Sequence, residues 1–81
     1  MNESIMNCIH ALGEVQSYMP EQKARAHGDF VGMTLGEVAA ILGVPAKAIW
    51  FFSVDGKRKN ADYRLAEGEE ASIHGFVDGG N

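Results

Sequence analysis

One stretch limits the possible folds more than any other: "MTLGEVAAILGVP", residues 33–45. Thr34 and Glu37 stand three apart, as a capping box requires, so each side chain can bond the other residue's backbone amide. Leu35, Val38, Ala39 and Leu42 fall at i, i+3, i+4 and i+7 and make one apolar stripe. Gly43 is placed for the left-handed conformation that ends helices, and Pro45 prevents continuation. The spacing predicts one short helix over Leu35–Leu42. Whatever fold forms must bury that stripe against something else in the chain.

The remaining segments read as strands and turns. "SIMNCIHAL" (Ser4–Leu12) is apolar and is followed by Gly13, which favours a strand. Pro20 interrupts "GEVQSYMPEQ". Lys23–Gly32 reads as a weak second strand, with Ala24, Ala26, Phe30 and Val31 on its apolar side and a bend or bulge at Gly28. "AIWFFSV" (Ala48–Val54) is a continuous apolar run and reads as a buried strand. Asp55-Gly56 is a type I′ hairpin signal, with a short strand from Lys57. Tyr63 and Leu65 can reach a core, and Gly68 marks another turn. Glu70–Val77 reads as the last strand, with Ala71 and Ile73 on one side and Ser72, His74 and Phe76 on the other.

A chain of 81 residues builds one domain with a thin core. Two hairpins flanking one helix give an α+β fold: a mixed four- to five-stranded sheet with the main helix packed across one face. That is the β-grasp arrangement. Residues 1–77 form the domain, and 78–81 read as a flexible C-terminal diglycine tail.

The charge pattern excludes several functions. With 7 Lys and Arg against 11 Asp and Glu, the net charge is −4. A nucleic-acid footprint needs surplus clustered cations, so no nucleic-acid partner is expected. Lys57-Arg58-Lys59 form a basic cluster, read as a solvated hairpin tip or as a rim contact for an acidic partner. Neither a secretory signal nor a membrane-length apolar run is present, so a cytoplasmic location without membrane attachment is expected. The single cysteine, Cys8, excludes an internal disulfide and reads as a small buried hydrophobe.

The sequence shows no catalytic constellation. His10, His27 and His74 lack the close spacing of a metal site and read as surface or sheet-face residues. The serines lack a nucleophile-elbow context. No phosphate-binding glycine loop appears. Glu67, Glu69 and Glu70 read as a solvated turn. Neither a catalytic residue nor a bound metal is expected.

Taken together, "TLGEVAAILGVPAKAI", "SVDGK", "DYRLAEGEEASI" and "FVDGG" resemble the MoaD/ThiS-type ubiquitin-like sulfur carriers. These are the small subunit of molybdopterin synthase and the thiamine sulfur carrier. The resemblance runs over nearly the whole chain. The ordered set, with a diglycine at the right end, carries it rather than any one motif. It implies a carrier protein and not an enzyme. An E1-like partner would use ATP to adenylate the carboxylate of Gly80. Persulfide sulfur would then displace AMP, leaving a thiocarboxylate for a sulfur-accepting enzyme of cofactor or amino-acid biosynthesis, molybdopterin and thiamine included. ATP is the partner's substrate, and no cofactor is expected on the chain.

Gly79-Gly80 suits that chemistry, since glycine has no Cβ and can thread a narrow channel toward an α-phosphate. Phe76 and Val77 are candidate partner contacts, or alternatively core residues. Three departures stand out. Asn81 follows the second glycine, where the family ends. It would displace the reactive carboxylate by roughly 3.5 Å, so its removal by a processing protease is expected. Gly75-Phe76 replace a frequent pair of prolines, leaving the exit strand less stiff. Asp55 replaces Asn in the hairpin. Two other readings remain open: a ubiquitin-like protein modifier, whose activated glycine is captured by a lysine amine, and a β-grasp interaction module that conjugates to nothing.

Overall fold

Six regular elements follow one another in the computed structural model, which describes residues 6–76. They are β1 (Asn7–Leu12), β2 (Arg25–Gly28), α1 (Leu35–Ile41), β3 (Ile49–Val54), β4 (Lys57–Lys59) and β5 (Glu70–Gly75). Short 3₁₀ turns at Gly13–Tyr18, Pro20–Gln22 and Ala46–Ala48 link them. The strands form one mixed sheet in the order β2-β1-β5-β3-β4. β1 and β5 run parallel at its centre, and the other pairs are antiparallel. With α1 packed on one side, this is the expected β-grasp, and the sheet has five strands.

Alternation along the strands supplies the core. Ile9 and Ala11 of β1, Ala71 and Ile73 of β5, and Phe52 and Val54 of β3 are buried on the covered side. They meet Leu35, Val38, Ala39 and Leu42 of the helical segment. Full burial of one such aliphatic side chain contributes about 1.5–3 kcal/mol. The capping box is formed: Thr34 Oγ1 accepts from the Glu37 amide at 3.1 Å, and Glu37 Oε1 accepts from the Thr34 amide at 2.9 Å. The helix ends one residue earlier than its periodicity implies. Leu42 is its C-cap, and Gly43 takes a φ of +88°. The Gly43 and Val44 amides donate to the Ala40 and Ala39 carbonyls, which makes a Schellman closure. Asp55 and Gly56 both have positive φ, as the type I′ turn demands.

The structure corrects several sequence expectations. β2 is four residues long and does not reach Gly32, and Ala24 and Val31 are exposed. Gly28 is no bulge. The Phe30 ring folds over it, and a Cβ there would meet Phe30 Cζ at 2.9 Å. β5 ends at Gly75, two residues short of Val77. Gly13–Tyr18 coils as a 3₁₀ turn because Val15, with Met19 just beyond, plugs into the core. "AIWFFSV" is not buried throughout. A register shift between Ile49 and Phe51 leaves Trp50 56% exposed. Cys8 is half-buried rather than core. Glu69 is more than a solvated turn residue, since its carboxylate accepts from Tyr63 Oη at 2.7 Å and from the Ala66 amide at 2.8 Å. Among the described residues, no helix is long and apolar enough to cross a membrane.

Candidate functional site

The side of the sheet away from α1 is open, and chemistry-bearing side chains gather there. β5 presents Ser72 and His74, β3 presents Phe51 and Ser53, and β4 presents Arg58, in the register Phe51↔His74, Ser53↔Ser72 and Ser53↔Arg58. The His74 imidazole lies flat on the Phe51 ring, with centroids 4.1 Å apart and planes 8° from parallel. The Arg58 guanidinium covers the same ring at 4.6 Å. Ser53 Oγ and His74 Nε2 share a hydrogen bond of 3.0 Å. Burial between these groups lowers the His74 pKa, because desolvation disfavours the imidazolium.

The bulge in β3 extends this patch toward the end of β5. Trp50 meets Phe51 edge-on at 5.2 Å and stacks on Phe76. Phe76 is 49% exposed. Two aromatic rings thus stand in solvent, and a histidine, a serine and an arginine continue the patch across the sheet. Contiguous exposed aromatic surface with a polar rim is the composition of a protein-docking surface.

The point where the chain leaves β5 is held by packing. A Cβ on Gly75 would lie 2.8 Å from the Val15 amide nitrogen and 2.9 Å from Val15 Cγ1. A Cβ on Gly13 would lie 3.0 Å from the Gly75 carbonyl oxygen. Gly75 thus packs closely against the Gly13–Tyr18 turn, with no room for a side chain at the end of β5.

Of the residues singled out from the sequence, Phe76 lies on the exposed aromatic patch and not in the core. Val77, Gly79, Gly80 and Asn81 lie outside the described residues. Lys57, Arg58 and Lys59 form β4. Sequence reasoning missed Trp50, Phe51 and His74 as one group. The apolar run marks no bulge, and their proximity follows from the β3–β5 register.

A second group occupies the other half of the open side. Cys8 Sγ is 3.5 Å from His10 Nε2, which is 3.4 Å from Glu70 Oε1. Burial, then the Glu70 carboxylate, raises the Cys8 pKa, which keeps the thiol protonated and weakly nucleophilic. His27 lies opposite Cys8 on β2. Among the described residues, no group of three or more His, Cys, Asp or Glu side chains could hold a metal ion.

The fold has a solved counterpart. The solution structure of Urm1 from Trypanosoma brucei superposes with a TM-score of 0.70, covering 99% of this chain and 100% of that one at 14% sequence identity. At this identity the likeness is one of fold, a ubiquitin-like β-grasp. No protein-family model matches the sequence, and no curated protein matches it.

Proposed function

We propose that the chain is a ubiquitin-like carrier protein of the sulfur-transfer type. Its working atom is the carboxyl carbon of Gly80, made available when the Gly80–Asn81 peptide bond is cut by a processing protease. An E1-like enzyme adenylates the Gly80 carboxylate with ATP and releases pyrophosphate. The outer sulfur of a partner's persulfide attacks the acyl carbon and displaces AMP. A second thiol of the partner then cleaves the resulting acyl disulfide, which releases the thiocarboxylate and leaves a disulfide on the partner. A sulfur-accepting enzyme of cofactor or amino-acid biosynthesis then receives the sulfur. The chain itself supplies no catalytic side chain.

The observation that carries this reading is the exposed stack of Phe76 on Trp50, at the end of the strand that leads into "VDGG". A handle is most effective when its docking surface adjoins the reactive end, because fewer freely rotating bonds separate contact from chemistry. The β-grasp likeness to Urm1 supports the fold half of the proposal. The order of "TLGEVAAILGVPAKAI", "SVDGK" and "FVDGG" supports the rest.

The test uses two chains, one ending at Gly80 and one at Asn81. Each is incubated with ATP, a sulfide source and the E1-like adenylating enzyme of the same organism. Intact mass is expected to show one oxygen exchanged for sulfur in the first chain alone. Reaction of neither chain would sink the proposal. Capture of the activated first chain by lysine amines, without thiocarboxylate, would make it a protein modifier instead.

A further inference from the structure

A second surface, on the opposite edge of the fold from β2, has the form of an incomplete sheet. β4 pairs with β3 only at Phe52↔Lys59, Ser53↔Arg58 and Val54↔Lys57. The chain then turns at Asn60 and runs to the helix, where the Ala61 carbonyl accepts from the Gly36 amide at 2.9 Å. Among the described residues, Ile49–Phe51 of β3 therefore have no strand beside them on that edge. Directly under the missing strand lies a cavity of about 410 Å³ between β3 and α1. Its floor is made by small residues, Gly36, Ala39, Ala40, Ala46 and Ala61, and Trp50 forms one wall. The size is that of a pocket for a few side chains.

The rim is basic. Arg58 and Lys59 line the cavity, and Lys57 precedes them on the same strand. Three of the chain's seven Lys and Arg residues thus sit consecutively at this edge. Among the described residues, no carboxylate lies within ion-pair distance of any of the three. The Arg58 and Lys59 head groups rest on the rings of Phe51 and Tyr63. The rest of the chain carries the opposite net charge, so an acidic ligand is repelled from most of the surface and attracted here.

We propose that this vacant strand position is a docking groove for an extended, acidic peptide segment of a partner protein. The segment adds beside Ile49–Phe51 as a further strand. Alternate side chains enter the cavity over Ala39 and Ala40, and flanking carboxylates meet Arg58 and Lys59. Strand addition draws affinity from the exposed backbone of the edge and specificity from the pockets that receive alternate side chains. This site does not depend on Gly80, although Trp50, Phe51 and Arg58 also border the exposed patch beside Phe76.

The probe is an acetylated, amidated octapeptide, Glu-Asp-Val-Ile-Val-Leu-Asp-Glu, titrated into the full chain and followed by amide chemical shifts. Its counterpart with lysine at each acidic position is the control. Saturable shifts are expected at Ile49–Phe51, at Ala39 and Ala40, and at Asn60 and Ala61, for the acidic peptide alone. Ala40→Glu, at an exposed helix position, is expected to weaken binding about tenfold by filling and charging the cavity. Arg58→Glu with Lys59→Glu should do the same through the rim, and dispersed amide spectra will show that both variants are folded. Equal binding of the lysine peptide would overturn the proposal. So would shifts confined to the β2 edge, the absence of saturable shifts, or self-association of the chain through this edge in place of peptide binding.

Discussion

The indole of Trp50 and the phenyl ring of Phe76 stack with centroids 6.3 Å apart and planes 18° from parallel. This joins the bulged start of β3 to the end of β5. Both rings are about half exposed. An aromatic pair of this kind contributes about 0.5–1.5 kcal/mol. With the edge contact to Phe51 and the buried half of the indole also lost, Trp50→Ala should lower unfolding stability in urea by about 1–3 kcal/mol. If the patch docks the adenylating partner, the same change should slow adenylation of the chain ending at Gly80 by about tenfold or more. Unchanged adenylation with unchanged stability would remove the patch from the docking surface.

Gly75 tests whether the exit of β5 is held by close backbone packing. Its missing Cβ would meet the Val15 amide nitrogen at 2.8 Å, and a backbone atom cannot rotate aside. Gly75→Ala should destabilise the fold by about 1–3 kcal/mol, the usual range for overpacking. The urea midpoint is the measurement, and an unchanged midpoint would show that the turn yields freely.

The amino-acid sequence makes some of this legible and hides the rest, for a consistent physical reason. The helix was readable because Thr34, Glu37, Gly43 and Pro45 are local signals whose partners lie within a turn of each other. The hairpin at Asp55-Gly56 was readable for the same reason. The length of β2 was not, because Phe30 ends the strand by folding onto Gly28 instead of continuing the alternation. Trp50 was misread as buried because one bulge reverses the exposure pattern of an otherwise uniform apolar run. The need for glycine at 75 depends on Val15, 60 residues earlier. Phe76 enters the sequence reading only as a candidate contact beside the resemblance; its exposure and its stack on Trp50 come from the fold, and Phe51 and His74 come into view with the strand register.

Asn7 shows the same non-local logic in the core. It is fully buried. Its Nδ2 donates to the Ala66 and Glu69 carbonyls, both at 3.0 Å, and its Oδ1 accepts from the Phe30 amide at 2.9 Å. One side chain thereby ties the start of β1 to the loop after β2 and to the turn before β5. Asn7→Leu keeps the approximate volume but leaves the buried Phe30 amide without its acceptor. A loss of about 2–4 kcal/mol is expected, since an unpaired buried donor costs about 1–3 kcal/mol and the other bonds add to it. Thermal unfolding of the variant measures this. A loss below about 1 kcal/mol would mean that water or another carbonyl replaces the side chain.

His74 makes the stability of the fold respond to mild acid. Its pKa is lowered by burial against Phe51 and Ser53, with the Arg58 cation over the same Phe51 ring. In the unfolded chain the imidazole titrates near its ordinary pKa of about 6.5. Between the lower folded pKa and that value, the unfolded state binds more protons than the folded one. Stability therefore rises with pH across that window. The contribution is fully present above the unfolded pKa and is lost as pH falls through the folded one. Midpoints measured from neutral pH downward should fall first in that window, before the carboxylates titrate, and His74→Phe should flatten that part of the curve. Ring-proton shifts of His74 give the folded pKa directly. A midpoint above that of an unperturbed histidine would reverse the sign of the effect and show that His74 is charged at the patch.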